Sequence, residues 1–285
     1  MSRPELERRP FGARGQTVSA LGMGCAKLGA FWQGRSGTEG RRALDVALDA
    51  GIDLLDTADC YARGISERLV GRAVADHPNP VLVCTKVGLL KTPVALMDAR
   101  RAGGAGGAAQ LTGLSKGGAA AACYAPGYVT AAAERSLRRL RAERVDLLLL
   151  HAPPAGVIRR SGYLVALEEM QRAGKLDRWG FSCGGVEEAR AALEVPGVAC
   201  LQIPYNPRRR DVLDAVGTRA GELGVAIVAA GPFGDGTLLE DGWTAEKCLR
   251  FALRAPGVSS VLAGMSEARH VRANVAAAAV QFSAR

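Results

Sequence analysis

The sequence predicts one (β/α)8 barrel domain over residues 1–285, with an N-terminal β-hairpin in front of it. First, short runs rich in Val, Leu and Ile alternate with longer Ala-, Leu-, Arg- and Glu-rich segments of helical spacing. Second, the short runs are almost continuously apolar, which indicates strands buried on both faces of a parallel sheet. Third, eight strand–helix pairs in 285 residues suit a closed barrel. A doubly wound open sheet is the alternative topology.

The elements follow one another along the chain in a regular order. The segment RRPFGARGQTVS (8–19) predicts the hairpin, placed where it can cover the bottom of the barrel. The predicted strands are 20–25, 53–58, 81–86, 145–151, 178–183, 200–205, 225–230 and 259–264. The predicted helices are 38–50, 66–76, 129–141, 163–173, 186–194, 211–223, 244–254 and 266–279.

One connection is much longer than the others and covers residues 87–128, after the third predicted strand. Its part 99–127 is rich in Gly and Ala and has no clear period. Long loops in compact domains are typical of lids and mobile segments, so we expect a mobile loop that borders the substrate. A tolerated low-complexity insertion is the other interpretation, and both stay open.

Composition limits the classes of protein to which the chain can belong. It contains no apolar run long enough for a membrane span, and its N-terminus has no signal-peptide pattern. Seven cysteines, none in a Cys-x-x-Cys pair, favour a reducing cytoplasm over a disulfide framework or a metal site. The net charge of +9 indicates either a solvated basic surface or attraction of an anion such as a dinucleotide phosphate. Scattered arginines and 5% aromatic residues argue against a nucleic-acid partner.

Three of the predicted strands end at or near an ionisable residue: Asp56, Lys86 and His151. Tyr61 follows Asp56 by five residues, in the loop that leaves the same end of the barrel. Taken singly, these residues have ordinary structural interpretations: a turn cap, a solvent-reaching lysine, a core histidine and a half-buried loop tyrosine. Because the carboxyl ends of barrel strands meet at one mouth, the four together predict an acid–base site.

Several motifs resemble one known family. They are DTADCYARGISERLVG (56–71), CTKVG (84–88), LLLLHAPP (147–154), WGFS (179–182), LQIPYN (201–206) and GMSEARHVRAN (264–274). In this order, and over essentially the whole chain, the sequence resembles the aldo-keto reductases, most closely the bacterial members that act on sugars. The resemblance implies an NAD(P)(H)-dependent oxidoreductase that interconverts an alcohol with an aldehyde, ketone or sugar carbonyl.

The same resemblance implies a catalytic role for Asp56, Tyr61, Lys86 and His151. Tyr61 would exchange a proton with the substrate, and His151 would orient the carbonyl group. Free tyrosine is a poor acid, with a pKa of about 10, so Lys86 is expected to lower the pKa of Tyr61. Asp56 would hold Lys86 by an ion pair, and the cofactor would supply the hydride.

Cofactor contacts are implied at a further set of positions: Gly24, Ser182, Cys183, Gln202, Gly231, Phe233, Gly264, Ser266, His270 and Asn274. Ser182 and Gln202 match positions that bind the nicotinamide carboxamide in the family. The sequence departs from the family at Cys183, at Ala230 and at His270, which replaces an arginine commonly placed near the 2′-phosphate. The resemblance still favours NADP(H) over NAD(H), with no metal.

Two other functions compete with this one. A Schiff-base aldolase would use Lys86 as its nucleophile. A cofactor-binding regulatory protein with little turnover would explain the departures from the family pattern. The natural substrate, the direction of the reaction and the oligomeric state are left open by the sequence.

Overall fold

The computed structural model describes residues 5–30, 36–103, 110–115 and 118–279. These residues form twelve strands: β1 (Arg8–Pro10), β2 (Thr17–Ser19), β3 (Leu21–Gly24), β4 (Leu54–Asp56), β5 (Leu82–Val87), β6 (Gln110–Ser115), β7 (Gly118–Ala122), β8 (Val145–His151), β9 (Leu176–Ser182), β10 (Cys200–Pro204), β11 (Ala226–Ala230) and β12 (Val258–Gly264). Eight of them close into a parallel barrel in the order β3, β4, β5, β8, β9, β10, β11, β12 and back to β3. The barrel prediction is confirmed, and the open-sheet alternative is wrong.

Helices cover the outside of the barrel. The described helices are α1 (Gly37–Asp49), α2 (Ile65–Ala75), α3 (Pro93–Gly103), α4 (Pro126–Leu140), α5 (Ala155–Arg160), α6 (Leu164–Arg172), α7 (Val186–Leu193), α8 (Asp211–Glu222), α9 (Thr237–Glu240), α10 (Ala245–Leu253) and α11 (Ala268–Ala279). All eight predicted helices are present, with ends that differ by a few residues. The short helices α5 and α9 were not predicted. No helix of the described part is long and apolar enough to cross a bilayer.

Strand β8 illustrates why the apolar runs predict a buried parallel sheet. Leu147 and Leu149 belong to the core inside the barrel, whereas Leu148 and Leu150 pack in the layer between the strands and the helices. Successive side chains of a strand point to opposite faces, so the Leu run fills both cores at once. The burial on both faces holds this strand, and therefore His151 at its end, in a fixed position.

The N-terminal hairpin closes the lower end of the barrel, as predicted. Strands β1 and β2 pair antiparallel, and Phe11 in the turn between them is almost fully buried in the inner barrel core. The Arg178 guanidinium carbon lies 5.3 Å from the centroid of the Phe11 ring. The aromatic side chain therefore plugs the end of the barrel that is opposite the strand ends with ionisable groups.

The long connection 87–128 contains helix α3 and an antiparallel hairpin, β6–β7, neither of which was predicted. An isolated antiparallel bridge between Leu89 and Ala122 joins the beginning of this connection to the end of β7. Residues 104–109, 116 and 117 of the expected mobile loop lie outside the described residues. Mobility of the segment and its border with a substrate stay predictions.

Candidate active site

The barrel mouth brings Lys86 into contact with two of the other three predicted groups. Its Nζ donates to Asp56 Oδ2 at 2.6 Å, to the Thr57 carbonyl at 3.0 Å and to Tyr61 Oη at 3.3 Å. The pairing of β4 with β5 sets Asp56 beside Cys84, so the two ion-pair partners project from neighbouring strands. Lys86 is 1% exposed, which means that this ammonium has exchanged water for protein partners.

Asp56 is held from two sides. One of its carboxylate oxygens accepts from Lys86, and Oδ1 accepts from Gln202 Nε2 at 2.9 Å. Gln202 belongs to β10, on the opposite side of the barrel, so this hydrogen bond crosses the mouth. The sequence resemblance assigned Gln202 to a carboxamide contact, and here its amide nitrogen orients the carboxylate.

Tyr61 reaches Lys86 because the chain turns sharply after β4. Ala62 and Arg63 adopt positive φ angles of 46° and 54°, a conformation that is unfavourable for residues with a Cβ. The turn places the Tyr61 ring edge-on to the His151 ring, with centroids 5.9 Å apart and planes at 86°. Three elements separated in sequence thereby contribute to one cluster.

Helix α2, which begins immediately after this turn, locks it in place. Ser66 and Thr57 share a hydrogen bond of 2.8 Å between their hydroxyl oxygens. Glu67, fully buried, accepts from Thr85 Oγ1 at 2.7 Å and pairs with Arg139 of α4. The Ser-Glu pair of the sequence motif therefore connects the turn to the sheet and to the outer helices.

His151 completes the cluster at the end of β8. Its Nδ1 lies 3.8 Å from Cys60 Sγ, and its carbonyl accepts from the Tyr124 hydroxyl at 2.7 Å. Tyr124 follows the β6–β7 hairpin, so the long connection contributes directly to the position of the histidine backbone.

Burial and neighbouring charges shift the pKa values of three groups in the cluster. Burial lowers the pKa of Lys86, but the Asp56 carboxylate and other nearby groups outweigh it, and the pKa is raised. Lys86 lowers the pKa of Tyr61, as expected, but burial raises it by more, so the pKa of Tyr61 lies above its usual value. Burial, then the charges of Lys86 and Lys91, lower the pKa of His151. The resting cluster therefore contains an ammonium, a phenol and a neutral imidazole.

A cavity of about 560 Å³ adjoins the cluster at His151. Four predicted cofactor residues line it: Ser182, Cys183, Gln202 and Gly231. Residues that the sequence reasoning missed also line it: Asn206, Arg208 and Arg209. The NPRRR run after β10 was a signal for them, because a basic run that follows a barrel strand lies at the mouth.

The remaining predicted cofactor residues do not line this cavity: Gly24, Phe233, Gly264, Ser266, His270 and Asn274. Gly24 pairs with Gly264 and with Asp56 at the ends of neighbouring strands. His270 is about half exposed, with Nδ1 4.0 Å from Glu267 Oε1. Asn274 is buried on α11. Gly24 and Gly264 thus lie at strand ends on the β12 side of the mouth, and the cofactor role of all six residues stays a prediction.

Another cavity, of about 640 Å³, lies at the opposite end of the barrel. Arg8, Asp53 and Arg144 are among its lining residues, and none of the four clustered groups is. We therefore place the candidate site at the mouth. In the described part of the chain, no three His, Cys, Asp or Glu residues are arranged to hold a metal ion.

A closed parallel barrel with a phenol, an ammonium, a carboxylate and an imidazole at its mouth defines a barrel protein equipped for proton transfer. The chain belongs to the aldo/keto reductase family, whose model matches residues 20–243. A probable aldo-keto reductase of Glycine max is 26% identical over 238 residues, which are 83% of this chain and 62% of that protein.

Solved structures give the same fold. The aldo-keto reductase AKR11C1 of Bacillus halodurans, in its holo form, has a TM-score of 0.75 and 25% identity, covering 96% of this chain and 91% of that one. An aldo/keto reductase of Klebsiella pneumoniae in complex with NADP and acetate has a TM-score of 0.69 and 23% identity, covering 96% and 90%. The likeness to the Klebsiella protein is one of fold.

Proposed function

We propose that this chain is an NAD(P)(H)-dependent oxidoreductase that interconverts an alcohol with the carbonyl group of a small aldehyde, ketone or sugar. The observation that carries the proposal is the hydrogen-bonded set of Asp56, Lys86 and Tyr61, with the His151 ring beside Tyr61. Membership of the aldo/keto reductase family supports the same reaction class.

The adjoining cavity fits a nicotinamide dinucleotide. The Ser182 hydroxyl and the Gln202 amide oxygen line it and can bond a carboxamide, because Gln202 uses its amide nitrogen on Asp56. Arg208 and Arg209 also line it and place cations there for a pyrophosphate, although each also pairs with an aspartate, Asp241 and Asp211. When bound, the cofactor supplies or accepts the hydride. We propose NADP(H) rather than NAD(H), because Arg272 is an exposed cation on the Gly264–Asn274 segment, whereas Arg269 is paired with Glu267 at 2.7 Å.

The residues of the cluster have separate tasks in this proposal. Tyr61, kept protonated by burial, donates its phenol proton to the carbonyl oxygen as reduction proceeds. Lys86 stabilises the phenolate that this transfer leaves, and Asp56 holds Lys86 at 2.6 Å for that purpose. His151, kept neutral, donates a hydrogen bond that orients the carbonyl group.

The Schiff-base alternative has little support from these contacts. An amine nucleophile must be unprotonated and accessible. Lys86 is almost fully buried, its pKa is raised, and its ammonium donates to three oxygens. A cofactor-binding regulatory protein would bind the cofactor with little turnover. The assay described next measures both quantities and so separates that alternative from the proposal.

The test combines cofactor binding with turnover on a panel of aldehydes, ketones and aldoses, each with NADPH and with NADH. We expect carbonyl-dependent oxidation of the reduced cofactor, with a higher kcat/KM for NADPH. Tyr61→Phe removes the proton donor and should lower kcat by about 10²- to 10⁴-fold while cofactor affinity stays nearly unchanged.

Tyr163→Phe is the matched control, because Tyr163 is a buried tyrosine whose hydroxyl donates to the Ile158 carbonyl and whose ring packs edge-on to Phe181 in the layer between the strands and the helices. It should retain wild-type turnover. Cofactor binding without turnover on any substrate would favour the regulatory alternative. Substantial activity in Tyr61→Phe would show that another group donates the proton.

A further inference from the structure

Cys60 occupies an unusual place, directly before Tyr61 and against the ring of His151. The distance from Cys60 Sγ to His151 Nδ1 is 3.8 Å, within the range of a hydrogen bond that involves sulfur. Cys60 is partly buried and also packs on the main hydrophobic core, so its side chain is supported from behind. The described structure gives Nδ1 this one polar contact.

The chemistry of the two groups determines which of them donates. Burial, followed by the charge of Asp59, raises the pKa of the Cys60 thiol to about 12, so the sulfur carries its proton at neutral pH. The imidazole is neutral, so one ring nitrogen carries a proton and the other accepts. A thiol is a weak donor and its sulfur a weak acceptor, whereas an unprotonated imidazole nitrogen is a good acceptor, so S–H donation to Nδ1 pairs the thiol with the better acceptor. The favoured arrangement is therefore S–H donating to Nδ1.

We propose that Cys60 is a positioning residue that fixes the tautomer of His151, because its thiol donates to Nδ1 and keeps the ring proton on Nε2. The consequence is a neutral imidazole whose donor nitrogen is the one not engaged by the protein. Such a ring presents an N–H to a carbonyl oxygen, whereas the other tautomer would present a lone pair and repel it. The catalytic consequence rests on the proposed function; the tautomer assignment itself does not.

The other contacts of His151 do not determine which of its ring nitrogens carries the proton. Tyr124 bonds the backbone carbonyl of His151, and Tyr61 contacts the ring through an edge-on aromatic arrangement. Neither contact selects between the two ring nitrogens. The positive charges that face the ring, Lys86 and Lys91, favour its neutral form without choosing the tautomer.

The direct test is nitrogen NMR of the imidazoles, in which protonated and unprotonated ring nitrogens are well separated. The chain has three histidines, so His151→Gln assigns the signal by its disappearance. We expect the wild-type protein to have His151 protonated on Nε2. Cys60→Ala should raise the fraction protonated on Nδ1, and Cys60→Ser, which keeps a donor, should restore the wild-type pattern. Cys248→Ala removes a buried thiol from the outer helix α10 and should leave the signal unchanged.

Kinetics supply the second measurement. Cys60→Ala should lower kcat by about threefold to tenfold, the equivalent of one neutral hydrogen bond, with an unchanged KM for the cofactor. Cys60→Ser should recover most of that loss. A wild-type His151 protonated on Nδ1, or a Cys60→Ala protein with an unaltered tautomer, would overturn the proposal. Because the NMR result needs no turnover, failure of the proposed reaction would be distinguishable from failure of this inference.

Discussion

The two ends of the barrel contain the same kind of ion pair in opposite surroundings. At the mouth, Lys86 and Asp56 are 2.6 Å apart, with side chains 1% and 7% exposed. At the lower end, Arg8 and Asp53 are 2.7 Å apart, with side chains 51% and 20% exposed. The distances are nearly equal, so the difference between the pairs lies in how much water each has lost.

The difference in solvent exposure indicates that the two ion pairs serve different purposes, catalysis at the mouth and stability at the lower end. A buried pair must offset the desolvation of two charges, and replacement by apolar residues is often neutral or stabilising. The mouth retains such a pair beside Tyr61, where a fixed ammonium can stabilise a phenolate. At the lower end the Arg8–Asp53 pair stays partly exposed, and the barrel is closed by the buried Phe11 ring with the Arg178 guanidinium beside it. The buried acid–base groups therefore lie at the mouth, and the aromatic side chain that closes the barrel lies at the other end.

The largest effect is expected from Lys86→Met. The substitution leaves Asp56 buried without its cation, and breaking such a pair costs about 3–5 kcal/mol of unfolding free energy. Turnover should be lost as well, because the phenolate of Tyr61 would have no counter-ion. Urea unfolding and steady-state assays measure the two effects separately.

The matched variant is the double replacement Lys86→Met with Asp56→Leu, which removes both charges. It should recover most of the lost stability and none of the activity. A double variant as unstable as Lys86→Met would mean that this pair stabilises the barrel, and the comparison between the two ends would fail.

The next largest effect on the free energy of unfolding is expected at Asp59, and this effect depends on pH. It is buried, its Oδ1 has no hydrogen-bond partner among the described residues, and burial followed by the charge of Glu67 raises its pKa to about 7. An unfolded aspartate has a pKa of about 3.9, so the unfolded chain ionises first as pH rises. The resulting loss of stability begins near pH 4 and is complete above pH 7.

The side chain of Asp59→Asn cannot ionise, so this variant should not lose stability as the pH rises from 4 to 7. Relative to the wild-type protein, its unfolding free energy should increase by about 2 to 3 kcal/mol between pH 5 and pH 8. Urea unfolding at the two pH values is the measurement. Arg135 and Arg139 oppose the shift, so parallel pH profiles of the two proteins would mean that these cations hold Asp59 ionised throughout.

The barrel and its four clustered groups could be predicted because both follow from short-range patterns. The Leu147–Leu150 run is apolar on both faces, and strand ends of a parallel barrel meet at one mouth. The β6–β7 hairpin escaped prediction because residues 99–127 have no hydrophobic period, and helix α3, which was also missed, runs into the same segment. Periodicity identifies elements that bury one face, and a Gly- and Ala-rich segment gives little such signal.

The contacts and pKa shifts within the site could not be predicted, because they depend on distances between residues far apart in the sequence. The contact between Cys60 and His151 joins residues 91 positions apart in the chain, and the positive φ angles of Ala62 and Arg63 beside it are not indicated by either residue type. The sign of the Tyr61 pKa shift depended on how far burial outweighs Lys86, and burial follows from the packed mouth. The Gln202 contact with Asp56 crosses the barrel between residues far apart in sequence.

The smallest effect is expected at the exposed pair, from Arg8→Met. Arg8 bonds Thr17 as well as Asp53, but its side chain stays half in water, where an ion pair contributes about 0–1 kcal/mol. A double-mutant cycle with Asp53→Asn isolates the coupling between the two charges, which should fall further as salt is added. Turnover should be unchanged, because the hairpin lies at the opposite end from Tyr61. A coupling above about 2 kcal/mol would place this exposed pair in the energetic range of the buried one and remove the contrast in solvation as the explanation.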